Sequence, residues 1–498
     1  MVMKILVSIS SFFRKFPSII VLLGIFVLYI VFYNQNPSTD AWAYAYAATS
    51  GTDLFSPHHL LYSAFGYVVL KVFAFTHIEP IILLQFSNTI FAILCLFVVR
   101  AMLKKIHKTE YFITSAVLFL GASFGFLRFA TDNECYIIPL FFNLSALYFM
   151  QSFLMETKAY KTILMGMFLS LGCLFHQIVI LTWICFAVAL LFVEKKRYFL
   201  YFFLVSLSIP LVYWLVNYSI SQDASLLSLY SFVLHDYLTG YAEPPQIKTI
   251  LLLAPISIVR SFVQIHGYMF DIIKEYPVCS ALVVGVSLLF FVYGVTRFRA
   301  IKKRDFVLFH ERRFVRLVWC LMILNLLFAL LSNANAEFMI LVPFVVILLL
   351  SYYFNNIQFV FCFAVALLCW NTFFALVPYH KTDFNKDRII LEFVHNNSNE
   401  VYILKSKPQI ENMYNYYYGK NTPRLISYDR LNKEDLQDLE NTCVYTDVLE
   451  DKPVSRASIL NEEHKENSLG YRFEIKDSIQ KGFIPQSLHF VEIKPCLK

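Results

Sequence analysis

Apolar residues run along this chain in blocks of about twenty, separated by short polar connections. A bilayer core takes roughly 20 predominantly apolar residues per helix. On that measure the pattern predicts eleven spans, near 16–33, 80–103, 110–127, 134–154, 161–175, 177–193, 198–218, 277–297, 314–332, 338–354 and 357–377. The stretch 161–193 is one long apolar run broken by His176 and Gln177, so it reads either as two short helices or as one helix and a half-span. From about Pro378 the pattern changes abruptly to Asn, Lys, Glu and Asp. Short β-rich runs (Val401–Leu404, Cys443–Tyr445, His489–Ile493) alternate there with helical stretches (Arg388–Val394, Ile410–Tyr418, Lys433–Glu440), which predicts a small α/β domain. The expected fold is thus a polytopic α-helical membrane domain over 1–377, with outer loops at 34–79 and 219–276, and an extracytoplasmic soluble α/β domain over 378–498.

Composition agrees with that division. Of 498 residues 58% are hydrophobic and 15% charged, against about 25% charged in a soluble domain. The net charge of +7 is not a nucleic-acid footprint, because the basic residues sit in short clusters between apolar runs. Lys and Arg mark cytoplasmic loops. With the N-terminus inside, Lys104, Lys105, Lys108, Lys158, Lys161, Lys195, Lys196, Arg197 and the dense cluster from Arg297 to Arg316 all fall inside. The odd number of spans then puts the C-terminal domain outside. No small-residue cleavage site follows the first apolar run, which reads as an uncleaved span. The absence of organelle signals and the compact loops suit a bacterial inner membrane. Most of the ten cysteines lie in apolar runs; Cys443 and Cys496 lie in the polar tail and form a disulfide only if the tail faces an oxidising compartment.

The groups able to do chemistry collect on the outer side. The stretch 34–67 carries Asp40, Asp53, His58 and His59, and AWAYAYA after Asp40 predicts a helix lying in the interface with Trp42, Tyr44 and Tyr46 at headgroup level. Asp40 has two readings of equal weight: a carboxylate presented at the membrane surface, or, with Thr39, an ordinary helix N-cap. Asp53 fits a Ser-Gly-Thr-Asp turn. Adjacent His58 and His59 follow Pro57; a helix start explains polar residues there, whereas imidazoles also donate to phosphate or bind metal. Arg128, Asp132 and Glu134 flank the expected fourth span. Carboxylates at that depth are costly against lipid and line cavities, and Arg128 suits a phosphate or one of these acids. His176 and Gln177 interrupt an apolar run, either as a plain loop or as a site. The outer loops add His235, Asp236, Glu243, Arg260, His266 and the SNANAE segment ending at Glu337.

The order of these features resembles the GT-C superfamily of membrane glycosyltransferases, and within it the protein O-mannosyltransferase and aminoarabinose-transferase-like branch. The matching features are Asp40 soon after the first span, SGTDLFSPHHLLY before the second, ATDNECYIIPL opening a later span, and LFHQ at a helix break. Asp40 is followed by Ala41 where many relatives have a second acid, and Pro57-His58-His59 replaces their paired prolines. The resemblance implies transfer of a sugar from a polyprenyl-phosphate (or diphosphate) carrier to a lipid, glycan or protein acceptor at the outer membrane face. It implies catalytic roles for Asp40, as general base, and Glu134, and substrate contacts for His58, His59, Tyr62, Arg128, Asp132, His176 and Gln177. Metal use varies across the superfamily, so no cofactor is fixed, although Glu134 and His176 together with Asp40 are a conceivable divalent-ion set. The rival readings are a lipid-linked glycan flippase or transporter, a non-catalytic assembly factor, and an O-antigen ligase or polymerase. Spans nearly free of mid-depth charge, without matching halves, count against the transporter.

Overall fold

The structure is a computed structural model that describes residues 17–239, 244–301, 312–354, 357–419, 423–448, 466, 469–481 and 486–495. All eleven apolar runs are helical. Seven helices are long and apolar enough to cross a bilayer: Pro80–Lys105, Ile137–Met155, Arg197–Ser221, Pro277–Arg299, Arg312–Leu331, Ala336–Tyr353 and Gln358–His380. An eighth span is a bent pair, Glu110–Ala122 and Phe124–Ala130, angled by 68°. The remaining three, Pro17–Val31, Ala159–Phe175 and Gln177–Leu191, are shorter apolar helices. The chain is an integral membrane protein: helices such as Pro277–Arg299 leave Val278, Leu282 and Leu289 bare to the surroundings, which is tolerable only against lipid. The break in the long 161–193 run resolves as two short helices meeting at His176, whose backbone is extended.

The bend of the third span has an identifiable cause. Ser123 leaves the helical conformation, and backbone from the outer loop fills the gap: Phe124 and Gly125 donate to the carbonyls of Phe262 and Ser261 at 3.0 and 3.2 Å. Gly125 permits the approach, since a Cβ there would lie 3.3 Å from Ser261 backbone. Asn371 caps the arrangement by donating to the carbonyls of Ala122 and Phe262, both at 2.7 Å. A kinked helix frees backbone groups that need such partners. The bend takes Arg128 off the line of the Glu110–Ala122 helix, where a straight span was expected over 110–127.

The tail forms a five-stranded sheet of order β2-β1-β3-β5-β4, with β1 Val401–Leu404, β2 Arg424–Ser427, β3 Cys443–Thr446, β4 Tyr471–Lys481 and β5 Gln486–Pro495. β1 pairs in parallel with β2 and β3, while β5 runs antiparallel to β3 and β4. Helices Lys386–Asn396 and Lys407–Tyr418 cover one face through Ile390, Leu391, Val394, Ile410 and Met413. The opposite face is closed by Tyr428, Leu431, Leu436 and Leu439. Cys443 is exposed; Cys496 lies outside the described residues.

Candidate functional site

Ser38, not Thr39 or Asp40, caps the Thr39–Ser50 helix: its hydroxyl accepts from Ala41 N at 3.2 Å. Asp40 therefore sits in the first turn with its carboxylate uncommitted to the cap; the residue is exposed, yet the protein packed around it leaves the carboxyl partly desolvated. The helix ends at Gly51, whose φ of +74° suits glycine. Two of its aromatic residues pack against other parts of the protein. Trp42 is buried under the tail, with ring centroids 5.2 and 5.4 Å from Tyr416 and Tyr417, and Tyr44 packs at 4.8 Å on Tyr62. The Tyr414–Tyr418 cluster is accordingly engaged in packing, including a 3.8 Å stack of Tyr418 on His395.

Residues 131–136 form an irregular turn before the Ile137–Met155 helix, so Glu134 precedes the span instead of opening it. Buried side-chain amides hold this turn. Asn88 Nδ2 donates to the carbonyls of Asp132 and Glu134 at 2.8 and 2.7 Å, and Asn133 Nδ2 donates to Ala41 O at 2.8 Å. Asp132 is a brace: it accepts from Asn34 Nδ2 at 2.8 Å, Asn133 N at 2.8 Å and Ser38 N at 3.3 Å. Tyr62 likewise points inward, donating to Asn133 Oδ1 at 2.9 Å. Asp40, Tyr62, Arg128, Asp132 and Glu134 do not line the main cavity, and Glu337 is the acid of this group that reaches it. Glu134 accepts a hydrogen bond from the Ser38 hydroxyl, and so is tied to the turn that presents Asp40.

The acids at positions 40, 132 and 134 converge with a fourth, Glu337, which precedes the Val342–Tyr353 helix. Burial, and next the charge of Glu337, raise the Asp40 carboxyl above its ordinary range, while Arg128 acts the other way. Glu134 is raised further, by burial and then by Glu337, Asp40 and Asp132. Arg128 reaches into this group, with Nη2 3.6 Å from Glu337 Oε1. One arginine among four carboxyl groups leaves an excess of negative charge when all are ionised.

Beside the acids opens a cavity of about 1550 Å³. Its lining combines apolar residues, Ile180, Leu181, Leu253, Ile256 and Phe328, with the polar side chains of His58, His59, His176, Arg260, His266 and Glu337. Arg260 ends the Ile247–Arg260 helix, and its buried Nε has no hydrogen-bond partner among the described residues. Burial, and then Arg128, push its guanidinium down to about 10. His266 is pushed to about 4 by burial, with Arg260 and Arg128 adding to the effect. The Arg128 and Arg260 guanidiniums thus repel each other, and an anion beside Arg260 relieves that repulsion. His58 is clamped between Gln177 Oε1 at 3.1 Å and Asp236 Oδ2 at 2.6 Å. His59 is driven to about 3 by burial and its neighbour His58, so it is a neutral imidazole.

Of the nine residues singled out in sequence, the structure gathers Asp40, Arg128, Asp132 and Glu134 into one acidic nest, with Tyr62 bonded behind it to Asn133. His58, His59, His176 and Gln177 go to the cavity wall. Glu337, Arg260, Asp236 and Ser38 complete these groups. The first three were visible only as polar residues of outer loops, and Ser38 carried no signal beyond its place before the helix.

No family model matches the chain, and no curated protein matches it. The chain is similar to the Archaeoglobus fulgidus oligosaccharyltransferase solved with Zn and sulfate, with 12% identity over 92% of this chain and 72% of that one, and a TM-score of 0.47. It is similar to apo ArnT from Cupriavidus metallidurans, with 10% identity over 95% and 97% of the two chains, and a TM-score of 0.42. The A. fulgidus oligosaccharyltransferase AglB, in complex with an inhibitory peptide and a dolichol-phosphate, aligns over 77% of this chain and 52% of its own, at 14% identity and a TM-score of 0.33. At such identities and scores the likeness carries no argument about what this chain binds or does.

Proposed function

We propose that this protein is a GT-C-type membrane glycosyltransferase that moves a sugar from a polyprenyl-phosphate carrier to an acceptor at the extracytoplasmic face, in a bacterial inner membrane. The observation that carries the reading is the amphipathic cavity, apolar at Ile180, Leu181 and Leu253 and cationic at Arg260, next to the Asp40–Glu134–Glu337 nest. A lipid-linked sugar phosphate has these two ends. Its prenyl tail lies along the apolar wall, its phosphate meets Arg260, and its sugar turns toward the acids. Asp40 takes the proton of the acceptor hydroxyl as that oxygen bonds to the anomeric carbon. The carbon–oxygen bond to phosphate breaks, and the departing phosphate keeps the electron pair, stabilised by Arg260 with Arg128 behind it. Glu134 orders the Ser38 turn that presents Asp40, while His58 and Gln177 shape the entrance. Both reactants are held at one membrane face, and their alignment supplies much of the rate. The basic loops inside and the reactive groups outside support this orientation.

The test is consumption of polyprenyl-phosphate hexose or pentose by the purified protein, with a cell-envelope lipid and glycan extract as acceptor pool. Release of polyprenyl phosphate that is lost in Asp40→Asn is the expected result. Undiminished release in Asp40→Asn rules out the base, and no release from any such donor rules out the reading.

A further inference from the structure

A cluster of another chemistry stands beside the acids. His59 follows the first outer helix, Cys135 lies in the 131–136 turn, and His176 occupies the break between two apolar helices. These three come from separate parts of the chain, yet one ligand atom of each lies within 4.8 Å of the other two. His59 Nε2 is 3.9 Å from Cys135 Sγ, and the two imidazole centroids are 4.7 Å apart. Cys135 and His176 are at least nine-tenths buried, with 1% and 5% of their surfaces exposed. His176 Nε2 is buried with no hydrogen-bond partner among the described residues. Packing alone does not account for an orphaned imidazole nitrogen beside a thiol, because buried polar groups otherwise find partners.

We propose that His59, Cys135 and His176 form a transition-metal site, filled by a zinc-class divalent cation. Two imidazoles and a thiolate are the donor set such borderline-soft ions prefer over Mg²⁺ or Ca²⁺. Tetrahedral zinc, with bonds of about 2.0 Å to nitrogen and 2.3 Å to sulfur, sets its ligands about 3.5 Å apart. The 3.9 Å between His59 and Cys135 is therefore a few tenths of an ångström from ligation. Binding releases the thiol proton to solvent, and the sulfur's electron pair goes to the metal. The Tyr44 hydroxyl, 3.6 Å from Sγ and donating to it, supports the thiolate from the outer shell. His176 Nδ1 accepts from Ile178 N at 3.2 Å, so ligation through Nε2 moves the ring proton to Nδ1 and gives up that long hydrogen bond. His59 and His176 also face the cavity, which leaves a fourth position toward it. The site uses none of the carboxylates, and it stands whether or not the chain transfers a sugar.

The test uses the full-length protein in detergent, purified without a histidine tag and loaded with zinc or cobalt. The expected result is one tightly held metal per chain, with a sulfur-to-cobalt charge-transfer absorption. Cys135→Ser removes that absorption, and His59→Ala or His176→Ala weakens metal binding at least tenfold. Asp40→Asn and Glu134→Gln retain both metal and absorption. Should Cys135→Ser not fold, Tyr44→Phe is read instead: cobalt affinity falls about tenfold with the absorption kept. A wild-type protein without bound metal overturns the proposal. So does absorption that survives Cys135→Ser, affinity unchanged in Tyr44→Phe, or metal lost on changing the carboxylates.

Discussion

The Tyr136 hydroxyl donates to Glu337 Oε2 at 3.0 Å, joining the turn before one span to the first turn of another, 201 residues on. The second oxygen of Glu337 faces Arg128, so this carboxylate keeps the arginine partnered where water is scarce. Removing one member of a fully buried pair costs about 3–5 kcal/mol. Arg128 and Glu337 keep 20% and 28% of their side chains exposed, which reduces the effect. Glu337→Ala is expected to destabilise the protein by about 2 kcal/mol. Glu337→Gln, which retains the acceptor for Tyr136, costs less. Thermal unfolding in detergent checks the order.

Asp40→Asn separates catalysis from stability. Loss of a general base lowers transfer by about 10²–10⁴-fold. Burial and Glu337 raise the folded-state pKa above 3.8, so the ionised form is disfavoured by folding. The stability this group contributes is therefore fully lost once pH exceeds its folded-state pKa, and returns as pH falls below it. Asp40→Asn should melt higher than wild type at alkaline pH and at an equal temperature at strongly acidic pH. By the same shift, the acid limb of kcat/KM should lie above the ordinary carboxylate range. Melting curves and a pH–rate profile test both signs.

Arg260 stays protonated at neutral pH even at about 10, and its buried Nε awaits a partner. Arg260→Ala should raise KM for the lipid-phosphate donor at least tenfold. Arg260→Lys should recover part of that, since an ammonium supplies charge but not the planar fork. Unchanged donor KM in Arg260→Ala would place the phosphate elsewhere.

Asn88 is the keystone of the turn that carries Asp132 and Glu134, because one amide nitrogen serves both carbonyls. Asn88→Ala leaves two buried acceptors without that donor, at about 1–3 kcal/mol each. Asn88→Asp, which cannot donate when ionised and adds another acid to the nest, should be worse. The ratio of folded to aggregated protein after purification, followed by thermal melting, reads this out.

The apolar runs made the helices legible, since period and length are local properties of the chain. Fully buried amides were not: nothing local distinguishes Asn34, Asn88 and Asn371 from loop or span polarity, and their partners lie 98, 46 and 249 residues away. The strands β1, β3 and β5 showed as β-branched and aromatic runs. β4 was not legible because its residues Glu474 and Lys476 pair with Lys494 and Glu492 respectively across an exposed ladder, a charge pattern that reads as loop. Asp40 was visible through its distance from the first span. Arg260 and Glu337 were visible only as charges in outer loops, because their convergence depends on the bend at Ser123 and the insertion of residues 261–262 beside it.

The tail holds the helix that bears Asp40. Gln409 Nε2 donates to Pro37 O at 3.0 Å, Asn412 Nδ2 donates to Thr39 O at 3.1 Å, and Trp42 is sandwiched against Tyr416 and Tyr417. Those contacts bracket Asp40 on both sides in sequence, so loosening the tail frees the carboxylate's support. Replacing a buried Trp with Ala typically costs about 3–5 kcal/mol. Trp42→Ala should therefore expose the tail to limited proteolysis and lower kcat more than donor KM, since Trp42 does not line the cavity proposed for the carrier. Trp42→Phe should restore protection and most of the rate. A protease-resistant Trp42→Ala with wild-type kcat would mean that the tail rests on this helix without positioning it.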